Sequence, residues 1–114
     1  MVECLFCRIV AGEIPAERIF ENEQVVVFSD IKPQAPIHYL IVPKKHRVSW
    51  ETFEADDWPT TPEIFKVVKV LKKKAGVDET GYRLVINSGP DSGQEVPHLH
   101  LHFLAGRRFG WPPG

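Results

Sequence analysis

The chain reads as an α+β domain, an antiparallel sheet with one main α-helix packed on a face, and three observations lead there. Several short runs rich in Val, Ile and Phe are separated by polar or Pro-containing turns. One segment between Thr61 and Gly76 carries apolar residues at helical spacing. Near the C-terminus, PHLHLHFL (Pro97 to Leu104) alternates residue by residue, the period of a β-strand with two different faces.

In chain order, ERIFENEQVVVFSD predicts a hairpin: strands at Arg18–Phe20 and Gln24–Ser29, joined by the polar ENE. IKPQAP follows as a turn, because two prolines deny it a place inside a sheet. The next strand is Ile37–Val42, ended by Pro43. Ser49 to Trp58 is weakly helical. The main helix starts at Thr61 as N-cap, with Pro62 at the first helical position and Glu63 in the first turn, and Gly76 marks its end. Ile64, Val67, Val68 and Leu71 form its buried face, and Lys66, Lys69, Lys72, Lys73 and Lys74 its solvated one. A strand over Tyr82–Asn87, the loop SGPDSGQE and a strand over Val96–Leu104 complete the sheet, the last two pairing antiparallel. The tail GRRFGWPPG is too rich in Gly and Pro for regular structure, yet Trp111 is costly to leave in water and is expected to dock.

At 114 residues the chain is long enough for one domain with a real core. Its 43% hydrophobic and 25% charged residues are ordinary globular values, and a formal net charge of −1 gives no general attraction to nucleic acid or anionic membrane. No apolar run approaches a membrane span, and MVECLFCRIVAGEIPAE lacks the layout of a secretory signal, so a cytoplasmic location is expected. Cys4 and Cys7 in CLFC are too few for a disulfide framework; a zinc site or plain burial of two small apolar side chains are the readings open to them.

The chemistry concentrates in the histidines. All five lie in two short segments: His98, His100 and His102 in the alternating run, His38 and His46 at the ends of HYLIVPKKH. Neutral imidazole is nucleophilic near pH 7, and the N–P bond it forms is labile, which suits two-step phosphoryl or nucleotidyl transfer. Such a ring needs its second nitrogen held by an acceptor, and donors nearby for the phosphate oxygens. In the loop, Gly89 and Gly93 permit close approach of backbone N–H groups to a phosphate, with Asn87 and Gln94 as neutral polar contacts.

NSGPDSGQEVPHLHLHFL resembles the signature of the histidine triad (HIT) family, and FCRIVAGEIPAERIFE, FSDIKPQAPIHYLIVPKKH and WPPG resemble its nucleotide-binding (Hint-like) branch. The resemblance spans nearly the whole chain and implies a single histidine triad domain over residues 1–114, with sheets joined across a two-fold homodimer. It implies hydrolysis of nucleoside 5′-phosphoramidates or aminoacyl-nucleotides, with a purine nucleotide as the bound moiety. His100 would attack the α-phosphorus, His102 would contact phosphate oxygens or the leaving group, the carbonyl of His98 would orient His100, and His38 would support the cluster. Asp30 would hold the ribose, and Phe6, Ile9, Phe28 and Ile31 the base, although ordinary core packing is the reading of those four apolar residues without the resemblance. Val96 and Trp111 complete the implied nucleotide contacts beside Asn87, Gly93 and Gln94. No cofactor is implied for catalysis, while Cys4, Cys7, His46 and His98 match a structural zinc set. One departure stands out: Glu95 occupies a position where many relatives have serine, and a carboxylate there repels phosphate unless it turns outward or meets an amine. Alternatives are a dinucleoside polyphosphate hydrolase, a zinc-dependent hydrolase using the triad as ligands, or a nucleotide-binding scaffold with vestigial hydrolysis.

Overall fold

The computed structural model describes residues 4–114. Five strands, β1 (Arg18–Glu21), β2 (Val25–Ser29), β3 (Ile37–Pro43), β4 (Arg83–Ile86) and β5 (Leu101–Ala105), form one antiparallel sheet in the order β1-β2-β3-β5-β4. The hairpin of β1 and β2 turns on Asn22, whose side-chain oxygen accepts from the backbone N–H groups of Gln24 and Val25 at 2.9 and 2.8 Å. Helix α2 (Thr60–Lys74) covers one face of the sheet, burying the predicted Ile64, Val67, Val68 and Leu71 against Val25, Val27, Ile41, Leu101 and Phe103. It ends where Gly76 enters the left-handed region at φ +70°, with the N–H of Val77 returning to the carbonyl of Lys72.

The start of α2 differs from the expectation. Thr61 is not its cap: the helix begins at Thr60 behind Pro59, and Pro62 lies inside the first turn. The preceding turn already supplies short-range bonds, Thr60 N–H to Asp57 and Thr61 N–H to Trp58, so helical backbone runs back past the proline. Pro62 is tolerated because first-turn N–H groups lack intrahelical partners anyway. The weakly helical Ser49–Trp58 reduces to one 3₁₀ turn at Trp50–Thr52 and a second turn just before α2.

The opposite face of the sheet is also covered, by a helix absent from the sequence expectations. Helix α1 (Leu5–Val10) packs Phe6 and Ile9 onto Val26, Phe28, Leu40 and Val42. Burial on both faces explains why β2 reads VVVF rather than alternating.

The histidine strand is shorter than expected. It spans Leu101–Ala105, not Val96–Leu104, because residues 96–100 leave the ladder. Pro97 has no N–H, the His98 N–H folds back onto the Val96 carbonyl at 2.8 Å, and the Leu99 N–H donates to the carbonyl of Arg47 at 2.7 Å. The two-faced alternation nevertheless holds: Leu101 and Phe103 join the α2 core. His102 pairs opposite Leu40 and so faces the α1 side.

Candidate functional site

A cleft of about 590 Å³ opens on the α1 side, lined by His38, His100 and His102 together with Phe6, Ile9, Phe28, Asp30, Ile31, Asn87, Gly93 and Val96. That volume is in the range of small-molecule sites. Sequence reasoning missed Leu5, Ile14, Lys32 and Gln34, which also line it. Leu5 and Ile14 depend on α1 and the turn after it, for which a six-residue helix left no periodic signal. Phe6 is a core residue, 3% exposed, that also lines the cleft, its ring standing edge-on to His100 and Phe28 with centroids at 5.0 and 5.4 Å.

Hydrogen bonds fix the tautomer of each triad ring. The Nδ1–H of His100 donates to the carbonyl oxygen of His98 at 2.7 Å, so Nε2 keeps the lone pair. The backbone N–H of Gln34 donates to His38 Nδ1 at 3.0 Å, which leaves the proton of His38 on Nε2, 2.8 Å from His102 Nδ1. His102 therefore accepts at Nδ1 and presents Nε2–H. Asp30 Oδ2 lies 3.5 Å from His38 Nε2, while its Oδ1 accepts the Lys32 N–H at 2.8 Å. Burial lowers the pKa of His38, His98 and His100, and that of His102 falls to about 4 through burial and the neighbouring His100 and His38 rings. Near pH 7 the row is neutral, as a nucleophilic imidazole requires.

His98 faces the other way. Its Nε2–H donates to the carbonyl of Pro43 at 2.7 Å, turning Nδ1 toward Cys4 Sγ at 3.4 Å, Cys7 Sγ at 3.6 Å and His46 Nδ1 at 3.2 Å. Cys7 Sγ is 3.3 Å from His46 Nδ1, and the four ligand atoms all lie within 4.8 Å of one another. Two thiols and two imidazole nitrogens at such separations fit tetrahedral zinc, whose ~2.0–2.3 Å bonds put ligand atoms roughly 3.3–3.8 Å apart. Asp30, His38 and His102 also converge, but the two imidazoles there are already joined by a hydrogen bond.

Two expected contacts go elsewhere. Gln94 does not line the cleft: its side-chain oxygen accepts from Gly89 N–H at 3.1 Å and its amide donates to the carbonyls of Val48 and Val96, so it staples the loop. Gly93, at φ +81°, makes the left-handed turn that brings Glu95 and Val96 to the cleft wall. Trp111 does not dock on its own chain. It is 84% exposed and outside the cleft lining.

Residues 11–109 match the family described as HIT domain. The chain belongs to the HIT family. Among curated relatives, an uncharacterized 13.2 kDa HIT-like protein of Azospirillum brasilense is 46% identical over 109 residues, covering 93% of this chain and 88% of its own. A HIT family hydrolase from Legionella pneumophila has a crystal structure that superposes with TM-score 0.94 at 48% identity, covering 98% of this HIT chain and 100% of its own. The histidine triad nucleotide-binding protein of Candida albicans superposes with TM-score 0.83 at 34% identity, over 96% of this chain and 83% of that one.

Proposed function

We propose that the protein hydrolyses nucleoside 5′-phosphoramidates or aminoacyl-nucleotides through a covalent nucleotidyl-histidine, as a member of the nucleotide-binding branch. The observation that carries this reading is the His100 ring, held at Nδ1 by the His98 carbonyl at 2.7 Å and kept neutral by burial, with Nε2 left free to attack. Nε2 forms a bond to the α-phosphorus as the bond to the leaving group breaks; an amine departs with a proton taken up from solvent in the open cleft, and an aminoacyl group departs as its carboxylate. The Nε2–H of His102 donates a hydrogen bond to a phosphoryl oxygen as charge develops there. Water then cleaves the N–P bond and releases the nucleoside monophosphate. Asp30 serves the ribose hydroxyls, and Phe6, Ile9, Phe28 and Ile31 enclose a purine.

Cleft charge favours this reading over dinucleoside polyphosphate hydrolysis. Among the described residues of the lining, two carboxylates, Asp30 and Glu95, stand against one ammonium, Lys32, and the imidazoles are neutral. A polyanionic chain gains little there, whereas a single phosphoryl group is served by the His102 donor. The Legionella relative carries the name hydrolase and the Candida relative the name nucleotide-binding protein, which supports the same class. When bound at Cys4, Cys7, His46 and His98, zinc would supply a structural cross-link between the start of α1 and the segment preceding β5. The free edge of β4, with Tyr82 just before it and Ile86 at its end exposed to 41% and 46%, would join a second copy in a homodimer. No helix among the described residues is long and apolar enough to cross a membrane.

The test is acid quench of wild type and His100→Ala with phosphorus-labelled phosphoramidate. Wild type should carry label on His100, and the variant should bind nucleotide without turnover. Label on another residue, or wild-type rates in the variant, would refute the assignment.

A further inference from the structure

The cleft has two chemically different ends, and the strand register tells them apart. Asp30 follows β2, and its N–H donates to the carbonyl of His38, so it lies at the level where β3 begins. The loop bearing Glu95 joins β4 to β5 at the other end, where Ile86 and Ile41 both pair with Leu101. His38 and Ile41 are three residues apart on β3, about 10 Å. His102, opposite Leu40, lies between the two ends, and His100, just before Leu101, lies at the Glu95 end.

A nucleotide with its ribose on Asp30 and its phosphorus at His100 directs the leaving group toward Asn87, Gly93 and Glu95. Glu95 is exposed, lines the cleft and makes no ion pair among the described residues. Two other acidic side chains, by contrast, are engaged. Asp30 is capped by the Lys32 N–H, and Asp57 is held by Lys45 and Arg47. Among the described residues, the one ammonium of the lining that makes no ion pair, Lys32, belongs to the turn after β2, at the far end from Glu95.

We infer that Glu95 is a specificity-determining residue that selects leaving groups carrying a distal positive charge, of the lysyl or diamine class, and disfavours anionic ones. This rests on the phosphoramidase reading of the site. The carboxylate acts on the part of the substrate that departs, so it biases which compound reacts without taking part in bond making. It also discriminates in two directions at once, attracting a cation and repelling an anion in the same place.

Three phosphoramidates of one purine nucleoside, made with diaminobutane, aminobutanol and aminobutyrate, differ only in an ammonium, hydroxyl or carboxylate at the far end of the leaving amine. In wild type, kcat/KM should fall in that order, by about threefold per step, the scale of a solvent-accessible charge pair. The steps should shrink as salt is raised. In Glu95→Gln the ammonium compound should lose rate and the carboxylate compound gain it, so that the ratio between them closes to about one. A purely structural defect would move both in one direction. An unchanged order in Glu95→Gln, or no order in wild type, overturns the inference. If wild type turns over none of the three, the hydrolase reading is what fails. Calorimetric affinities of the same compounds, wild type against Glu95→Gln, then still decide the charge selection, with equal affinities counting against it.

Discussion

His38 Nε2 lies 2.8 Å from His102 Nδ1, and because the Gln34 backbone N–H occupies His38 Nδ1, the proton between the two rings belongs to His38. On the proposed reading, His38 would act as a positioning residue and His102 would be the ring that meets substrate. His102→Ala should cost about 10²- to 10³-fold in kcat, the scale for losing one preorganised donor. His38→Ala should cost less. Its distinguishing mark would be a changed pH profile of kcat, since His102 could then protonate at Nδ1 at higher pH. Identical profiles for wild type and His38→Ala would remove the positioning role.

Buried neutral histidines make stability fall on the acid side. His102 titrates at about 4 in the folded protein, lowered by burial and by His100 and His38, with Asp30 opposing. Its unfolded counterpart titrates near ~6.5. Between those values the unfolded chain binds more protons, so the stability contribution is full above about pH 6.5 and declines toward about pH 4. Urea midpoints at pH 7.5, 6, 5 and 4.5 should therefore fall in series, and His102→Gln should flatten part of that fall. A variant with the same pH dependence as wild type would contradict the shift.

Metal binding has its own proton signature. Burial and the neighbouring Cys4 raise the Cys7 thiol to about 11, so the metal-free protein holds that proton at neutral pH. Zinc uptake requires a thiolate, so titration in weak buffer should release protons and bind about one equivalent per chain. Cys4→Ser with Cys7→Ser should abolish both and lower the melting temperature more than kcat. Wild type purified without chelator that lacks metal and has two freely titratable thiols would count against the site.

The segment DDWPTTP becomes intelligible through Asp57. Its carboxylate, 3% exposed, binds Lys45 Nζ and Arg47 Nε at 2.7 Å each and accepts the Glu54 N–H at 2.8 Å. These partners hold its pKa well below the usual carboxylate range. The clamp fixes the loop bearing His46, and the Arg47 carbonyl in turn accepts the Leu99 N–H between His98 and His100. Asp57→Asn should lower the urea midpoint at pH 7, with a smaller difference from wild type at pH 3, where the unfolded chain takes up a proton that the clamped carboxylate does not. Equal losses at both pH values would mean the charge is not what holds the loop.

Elements set by local pattern were legible in the chain: the four buried residues of α2, the Gly76 stop, the hairpin at ENE and the shared face of His100 and His102, whereas His98 turns away to Cys4, Cys7 and His46. What escaped depends on long-range partners. Helix α1 is too short for periodicity to declare it and forms only as Phe6 and Ile9 cover the sheet. The early end of the histidine strand comes from Leu99 bonding to Arg47 across 52 residues of chain, which no local window contains. Gln94 was expected at the phosphate because loop composition does not reveal that its amide is already spent on Val48 and Val96.

Trp111 finds no cover on its own chain among the described residues. Arg83 Nη2 donates to the Gly110 carbonyl at 2.9 Å and its guanidinium lies 5.2 Å from the Phe109 ring centre, so the tail is tied to β4 up to residue 110. The indole beyond that anchor is 84% exposed, beside a free sheet edge. An exposed tryptophan next to an unpaired strand is what a two-fold partner would cover, and Pro112 and Pro113 stiffen the tail so that docking costs less entropy. The protein should be a homodimer by light scattering. Deleting residues 110–114 should alter the relative rates among amine leaving groups while His100 still becomes nucleotidylated, because the tail would border the departing group and not the nucleophile. A monomeric wild type, or unchanged selectivity after truncation, would mean that Trp111 has no part in shaping the site.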